Sequence, residues 1–473
     1  IPLKILLQCG QALDIIFSRK PLSGLPRLRT HTAPMSLFLS DGSAPFQDAF
    51  SRPWTAWMAG LVAVLLVLAA ILPSHAQPIQ PYDENPRYWQ YEGEQVMPIG
   101  GSKDDNLFQI PNLEAHLEEM EAVGANYIRN TMSARDEEDG NVRPFAQNED
   151  GRYDLTELNP EYWERFESML EMTAEREIFV QIELWDQWDH NTDEWAVSPW
   201  NPDNNVNYEA SEVSLEGTGS YENVTAGSDV THDLFMTVPA VQNDEIVLRH
   251  QQRFVDEVLE RAFAYDHVLY TITNELFTQH PPEWGAYWAE YVKERAEEDG
   301  VEIYVTEMFQ STEIQGDQHA HGLGQPELYD YVDLSQNSTH EGDTHWANLQ
   351  WVRSEIAGRL RPVNHTKTYG GETGWTDGPE HGIDRWWRNV IGGAATTRFH
   401  RPPAGIGLND RAKAQIRSAR MLLEEIDVFE ARPDVEHELL GDRSAGEAFL
   451  TREGSEVYSL YFADGGSVTL DLT

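Results

Sequence analysis

The chain has 473 residues, with 80 acidic against 34 basic, a net charge of −46 and one cysteine, Cys9. That length accommodates a barrel of about 250 residues with additions, so a large core is no difficulty. So acidic a surface repels nucleic acid and anionic membranes, and nothing downstream of Cys9 can form a disulfide or a thiolate metal site.

The acidity is read as adaptation to a salty medium, where screening relieves self-repulsion; the alternative is an acidic surface that binds a specific partner. Met35 is a candidate initiator, which makes residues 1–34 upstream read-through. Residues 35–76 then read as an export signal: a polar start with Arg52, an apolar run from Ala59 to Leu72, and Ser74-His75-Ala76 as a cleavage site. The run falls short of the roughly 20 residues that span a bilayer, so the expected contact with membrane is this signal alone.

From Gln77 the pattern becomes that of a folded domain. NPRYWQYEG, from Asn85 to Gly93, reads as a hairpin, and Gln95 to Gly101 as a first strand with Asp104 and Asp105 just past its end. A helix from Asn112 to Val123 stops at Gly124. The second strand runs from Ala125 to Arg129. An amphipathic helix from Pro160 to Arg176 precedes the third strand, Ile178 to Trp185, with Asp186 at its end.

Between Asp186 and about Ala240 the sequence is irregular and rich in Asn, Asp, Gly and Trp. A loop this long in a compact domain tends to be functional. Its Trp188, Trp195 and Trp200 read either as a stacking platform for sugar rings or as the loop's own small core.

Alternation then becomes regular. A helix from Asp244 to Tyr265 precedes a fourth strand, Val268 to Glu275, whose unbroken β-branched run suits a strand covered on both faces. Further strands are expected at Glu302–Phe309, Tyr329–Asn337, Thr366–Glu372 and Ala394–Phe399, with helices at 284–299, 346–360, 383–391 and 409–429. Eight strand-and-helix units in one direction predict an α/β fold, a (β/α)8 barrel over residues 77–432. Past Pro433 short alternating runs at 448–451, 457–462 and 468–472 read as the start of a truncated β-sandwich over residues 433–473.

A closed parallel barrel keeps its chemistry at the carboxyl ends of its strands. Two such ends carry a glutamate, Glu275 at the fourth and Glu372 at the seventh, and a pair of carboxylates across one mouth is what glycosidic bond hydrolysis needs. Asn274-Glu275 on the fourth strand with Glu372 on the seventh resembles the clan A glycoside hydrolases, and GANYIR resembles the segment where they carry an arginine beside the nucleophile. NPRYW and RFHRPP are similar to uncharacterised secreted bacterial members, some with a C-terminal β-sandwich. The resemblance covers about Asn85 to Phe429. It implies a retaining (β/α)8 glycosidase in which Glu275 is the acid/base, Glu372 the nucleophile held ionised by Arg129, and Asn274 a partner of the sugar 2-hydroxyl. Burial and the second carboxylate are then expected to raise the pKa of Glu275. Glu307, on the fifth strand, is a rival nucleophile.

Other strand ends add Trp185, Asp186, His340, Trp375, Arg398 and His400 as candidate substrate contacts alongside Asp104 and Asp105. Lys103, Arg129, Arg398 and Arg401 also fall near strand ends. They suit a subsite for an anionic sugar, or neutralise the site's own carboxylates. His319-Ala-His321 invites a metal-dependent hydrolase, but that HxH falls in a loop, not at the first strand, and no EF-hand spacing, phosphate loop or dinucleotide fingerprint is present. The expectation is therefore a secreted or periplasmic glycosidase with a carbohydrate substrate, no metal and no cofactor. A carbohydrate-binding barrel without catalysis, or a metal-dependent hydrolase, is the alternative. Sugar identity, linkage and oligomeric state are not encoded legibly.

Overall fold

The computed structural model describes residues 4–9, 12–17, 78–134, 140–190, 192–220, 231–371, 377–443, 448–463, 465 and 467–471. One compact unit holds Ile1–Ser18 and Gln77–Thr473; the other, Arg19–Ala76, lies outside the described residues, as does the export signal read there.

Eight parallel strands alternate with eight helices. They are β1 (Ile99–Gly101), α1 (Leu113–Glu121), β2 (Tyr127–Thr131), α2 (Pro160–Ala174), β3 (Phe179–Asp186), α3 (Glu245–Ala262), β4 (Val268–Asn274) and α4 (Pro282–Asp299). The second half is β5 (Val305–Thr306), α5 (Asp317–Leu323), β6 (Val332–Asp333), α6 (Gly342–Glu355), β7 (Val363–Thr368), α7 (Pro379–Gly392), β8 (Thr396–Phe399) and α8 (Asp410–Leu423). Hydrogen bonding groups the strands into two sheets, β5-β4-β3-β2 and β6-β7-β8-β1. The sheets meet at both seams. Asn126 N–H donates to Ile99 O at 2.9 Å beside β1 and β2, and Asp330 N–H to Val305 O at 2.7 Å beside β5 and β6. The expected (β/α)8 barrel is the fold.

Local sequence explains where the helices begin. Asn159, Asp244 and Asn409 each accept a hydrogen bond from the first turn of α2, α3 and α8, and Pro160 opens α2 without needing a donor. At the bottom, the hairpin of Trp89–Tyr91 and Glu94–Val96 closes the barrel. The Trp89 indole donates to Asn364 Oδ1 at 2.9 Å. Above it a buried polar lattice links strands across the interior: Tyr127 OH donates to Gln181 Oε1 at 2.5 Å, and the Gln181 amide donates to Thr271 at 2.8 Å and Asp333 at 3.0 Å. Such a lattice is stable only because each member has a partner.

Several boundaries differ from expectation. The first strand breaks in two, because Pro98 has no N–H to continue the ladder. Apolar runs as long as 302–309 and 329–337 contain paired strands of two residues each; after β6 the chain coils into a 3-10 turn, Ser335–Thr339. The seventh strand starts at Val363 and ends at Thr368, three residues earlier than read at its start. Its exit is set by two glycines. A Cβ on Gly371 would sit 1.8 Å from Pro403 O, and one on Gly370, at φ 139°, 2.3 Å from the Gly382 Cα. The helix α5, which carries the HxH, was not anticipated.

After α8 the strands Arg432–Pro433, Ala448–Glu453 and Val457–Phe462 form a sheet that Lys4–Cys9 and Ala12–Phe17 extend, beside a second ladder of Leu440–Gly441 and Thr469–Leu470. Leu440, Leu450, Leu460 and Phe462 form its core. Phe449 packs on Trp346 of α6, and Tyr461 stacks on Trp387 of α7 at 6.0 Å, so this sheet rests on the barrel's outer layer.

Candidate active site

β4 ends at Asn274, and Glu275 turns the chain with φ of 60°. A left-handed conformation costs a residue with a Cβ about 1 to 3 kcal/mol, and such strain collects at functional sites. The contacts of the side chain over-determine its place. Glu275 Oε1 accepts from Lys367 Nζ at 2.5 Å, Tyr369 OH at 2.8 Å and Gln336 Nε2 at 2.9 Å, and Oε2 accepts from the Trp188 indole at 2.9 Å. Lys367 Nζ also donates to Asn274 Oδ1 at 2.5 Å. Residues from β3, β4, β6 and β7 thus converge on one carboxyl at the mouth.

The charge of that carboxyl is the reverse of what the sequence suggested. Burial pushes Glu275 up, but the Lys367 ammonium, with the hydrogen bonds of Lys367, Tyr369 and Trp188, outweighs burial and brings it down to about 2. Glu275 is therefore ionised. The sequence reading counted burial and missed the lysine 92 residues away.

A second cluster lies under the first. Asp105, past β1, receives Arg401 Nε at 2.7 Å, Arg129 Nη1 at 3.3 Å, His400 Nδ1 at 3.6 Å and Arg398 Nη2 at 3.9 Å. Burial opposes its charge, yet these neighbours hold it well below the usual carboxylate range. Arg129 also binds Glu183 of β3 at 2.7 Å, both wholly buried. Burial lifts Glu183 to about 7 in spite of Arg129 and Lys367. Arg398 further donates to Thr366 O at 3.0 Å and to Ser102 Oγ. Tyr369 joins the two clusters, its hydroxyl on Glu275 and its ring edge-on to His400 at 5.1 Å.

Of the candidate residues, the fold brings together Asn274, Glu275, Asp105, Arg129, Arg398 and His400. Asp104 supports them, its carboxylate accepting Asp105 N–H at 2.7 Å and its carbonyl accepting from Arg398 at 3.3 Å. Asp186 pairs in register with Asn274 and caps the following turn through Trp188 N–H at 2.9 Å. His340 stands on the rim, bonded to Thr312 O at 2.8 Å. The basic residues neutralise buried carboxylates, the second of the two roles read for them; Lys103 is exposed.

Trp185 is not at the mouth. It points out of the barrel into a cluster with Trp200, Phe254, Trp284 and Trp288, at 5.3 to 5.9 Å, and is a core residue. Glu307 also turns away. Its carboxyl accepts from the N–H of Thr273 and Met308 at 2.9 and 3.0 Å and faces Gly285 of α4, which removes it as a rival nucleophile. Trp195 is buried against His190 and His232 within the long loop, Trp200 packs on Trp185 and Phe254 in the barrel's outer core, and Trp188, 36% exposed, is left at the mouth. His319 is buried on Ser311 O and His321 pairs with Gln325, so the HxH does not converge. Among the described residues, no group of three or more His, Cys, Asp or Glu is placed to hold a metal ion. Glu372 and Trp375 lie outside the described residues.

Lys367, Tyr369 and Gln336 are the site residues that sequence reasoning passed over. One signal was present for Lys367: a lysine inside a buried strand, in a chain with only six. The loops after β4 and β5 border a half-open cleft of about 470 Å³, lined by Leu276, Thr278, His280, Phe309, Ser311 and Gln318; Glu275 and its hydrogen-bond partners are not among its walls.

No family model matches the sequence, and no curated protein matches it. Solved structures do. A candidate glycoside hydrolase from Bacteroides vulgatus superposes with a TM-score of 0.52 at 13% identity, covering 80% of this chain and 67% of that one. A second glycoside hydrolase superposes with a TM-score of 0.50 at 14% identity, covering 80% and 81%. The chain shares their fold. At such identities the likeness concerns backbone architecture, and function has to be argued from the mouth itself.

Proposed function

We propose that the protein is a secreted glycosidase that cleaves a poly- or oligosaccharide with retention, with Glu275 as acid/base and Glu372 as the attacking carboxylate. The observation that carries the reading is the Glu275 carboxyl, buried at the β4 exit beside Asn274, strained in its backbone and met by side chains from three other strands and their loops. Half-exposed Trp188 offers an aromatic face to a sugar ring at the same point. The fold, which glycoside hydrolases share, puts this carboxyl at the strand ends where a barrel keeps its chemistry.

Glu275 protonates the glycosidic oxygen as Glu372 attacks the anomeric carbon; it then takes a proton from the water that releases the sugar. Because Glu275 is ionised beside Lys367, it must take up a proton from solvent before the first step, and a sugar that draws Lys367 from Oε1 would raise its affinity for that proton. The ionised carboxyl also suits a barrel that binds sugar without cleaving it, and turnover separates the two readings.

The test is release of reducing ends from a panel of plant and algal polysaccharides, with the first-formed anomer read by proton NMR. Glu275→Gln is expected to lower turnover by about 10²- to 10⁴-fold, the contribution typical of a general acid–base, with sugar binding kept. Binding without turnover by the native protein, or undiminished turnover by Glu275→Gln, overturns the proposal.

A further inference from the structure

Hydrolysis by two carboxylates does not call for a lysine in the mouth, yet β7 buries one there. Lys367 is 2% exposed and spends its ammonium on two β4 groups, Glu275 Oε1 and Asn274 Oδ1, each at 2.5 Å. β4 and β7 lie in different half-sheets, so this contact spans the mouth and does not follow from strand pairing. It also divides the carboxyl unequally. Oε1 takes three buried donors, Lys367, Gln336 and Tyr369, whereas Oε2 takes one, the indole of half-exposed Trp188.

We propose that Lys367 is a positioning residue for Glu275: it pins Oε1, holds the carboxyl as its charged partner until substrate binds, and leaves Oε2 as the oxygen that meets the substrate. An ammonium in hydrogen-bond contact with a carboxylate favours the charged form of the carboxylate. Pinning one oxygen fixes the rotation of the carboxyl group, so the free lone pair of Oε2 has one direction. Trp188 is the only donor on Oε2 among the described residues, and its indole must yield for that oxygen to reach a sugar. The same ring that caps Oε2 is then the surface on which the sugar settles.

The groups that bear on this charge can be named. Lys367 and Tyr369 face Glu275 from β7, and Trp188 and Gln336, which do not titrate, face it from the loops after β3 and β6. Behind them, Glu183 feels the Lys367 charge, and the Asp105 cluster of Arg129, Arg398, His400 and Arg401 stands beyond the Tyr369 ring.

The role of Oε2 rests on the glycosidase reading; the hold on the carboxyl does not. Infrared difference spectra between the native protein and Glu275→Gln, taken from about pH 4 to about pH 8, isolate the Glu275 carboxyl without any substrate. The carboxylate band is expected throughout. In a Lys367→Met background the same difference is expected to show a carboxylic acid band that titrates inside this window, because burial is then opposed only by the neutral hydrogen-bond donors Tyr369, Gln336 and Trp188. Lys367→Arg, which keeps the cation, is expected to restore the native spectrum. If Glu275 titrates in the native protein, or stays ionised in Lys367→Met, the proposal is overturned; should Lys367→Met not fold, the native spectra still decide. Where turnover is measurable, the alkaline limb of kcat/KM, set by the protonated Glu275 that the first step needs, is expected to move to higher pH in Lys367→Met, which a merely structural loss would not produce. Absence of hydrolysis would overturn the function proposed above and leave the spectra to judge Lys367.

Discussion

Replacing Glu183 with Gln should remove one identifiable pH dependence of stability. Glu183 is enclosed in the barrel with Arg129 at 2.7 Å, and burial raises its carboxyl from an ordinary 4.5 to about 7. The folded state therefore binds this proton more tightly than the unfolded chain. The stabilisation is complete below 4.5 and is lost as pH rises through about 7. That interval, at about 1.4 kcal/mol for each pH unit, comes to about 3 kcal/mol. Asp105 and Glu275 have lowered carboxyls, so their contributions persist above about pH 4 and fall away only in stronger acid. His116 and His267, which burial keeps neutral down to about 4, act in the opposite direction over part of the range, so the difference between the two proteins is the quantity to read. Urea unfolding of native protein and Glu183→Gln at about pH 5 and about pH 7.5 provides it. The variant should gain about 2 kcal/mol on the native protein between those conditions, since part of the interval lies outside them. An identical response to pH in both would refute the assignment of the raised carboxyl to Glu183.

The two tryptophans at the end of β3 should behave differently. Trp185→Ala removes a ring packed on four aromatic neighbours and is expected to cost about 3 to 5 kcal/mol of stability, whereas Trp188→Ala should leave the unfolding midpoint nearly unchanged and weaken sugar binding; a stable Trp185→Ala that only raises KM would overturn the placement of that ring. If residues 35–76 direct export, N-terminal sequencing of protein recovered from culture medium should begin at Gln77, and retention of the apolar run from Ala59 to Leu72 would argue for an anchor instead.

Much of the fold was legible because parallel strands covered on both faces need long apolar runs, and Val268–Asn274 and Phe179–Asp186 supply them. The two-residue strands β5 and β6 were harder, since the apolar residues around them pack without joining a ladder. In the site, Asn274, Glu275 and the Asp105 cluster were readable from their positions at strand ends. Trp185 was not, because the direction of a side chain at a strand end depends on how the last residues twist against the helices outside. The charge of Glu275 depends on Lys367 and Tyr369, brought to it by barrel closure over more than ninety residues. No local pattern reports such a meeting. A lone lysine inside a buried strand was the available clue.

The attachment of the C-terminal sheet to α6 and α7 bears on how the protein comes apart. Besides the stacking of Tyr461 on Trp387, Arg443 reaches Asp343 at the start of α6, and Tyr461 donates to Asp384 of α7. These helices back β6 and β7, the strands that carry Gln336 and Lys367 to the mouth. The apparent domain boundary near Pro433 is thus a boundary in sequence only: a nick there would leave both pieces clasped, and melting of the sheet would remove the support behind half of the barrel. Sheet and barrel are therefore expected to unfold in one transition, and loosening of the sheet should be felt at the Glu275 carboxyl through the layer of helices between them.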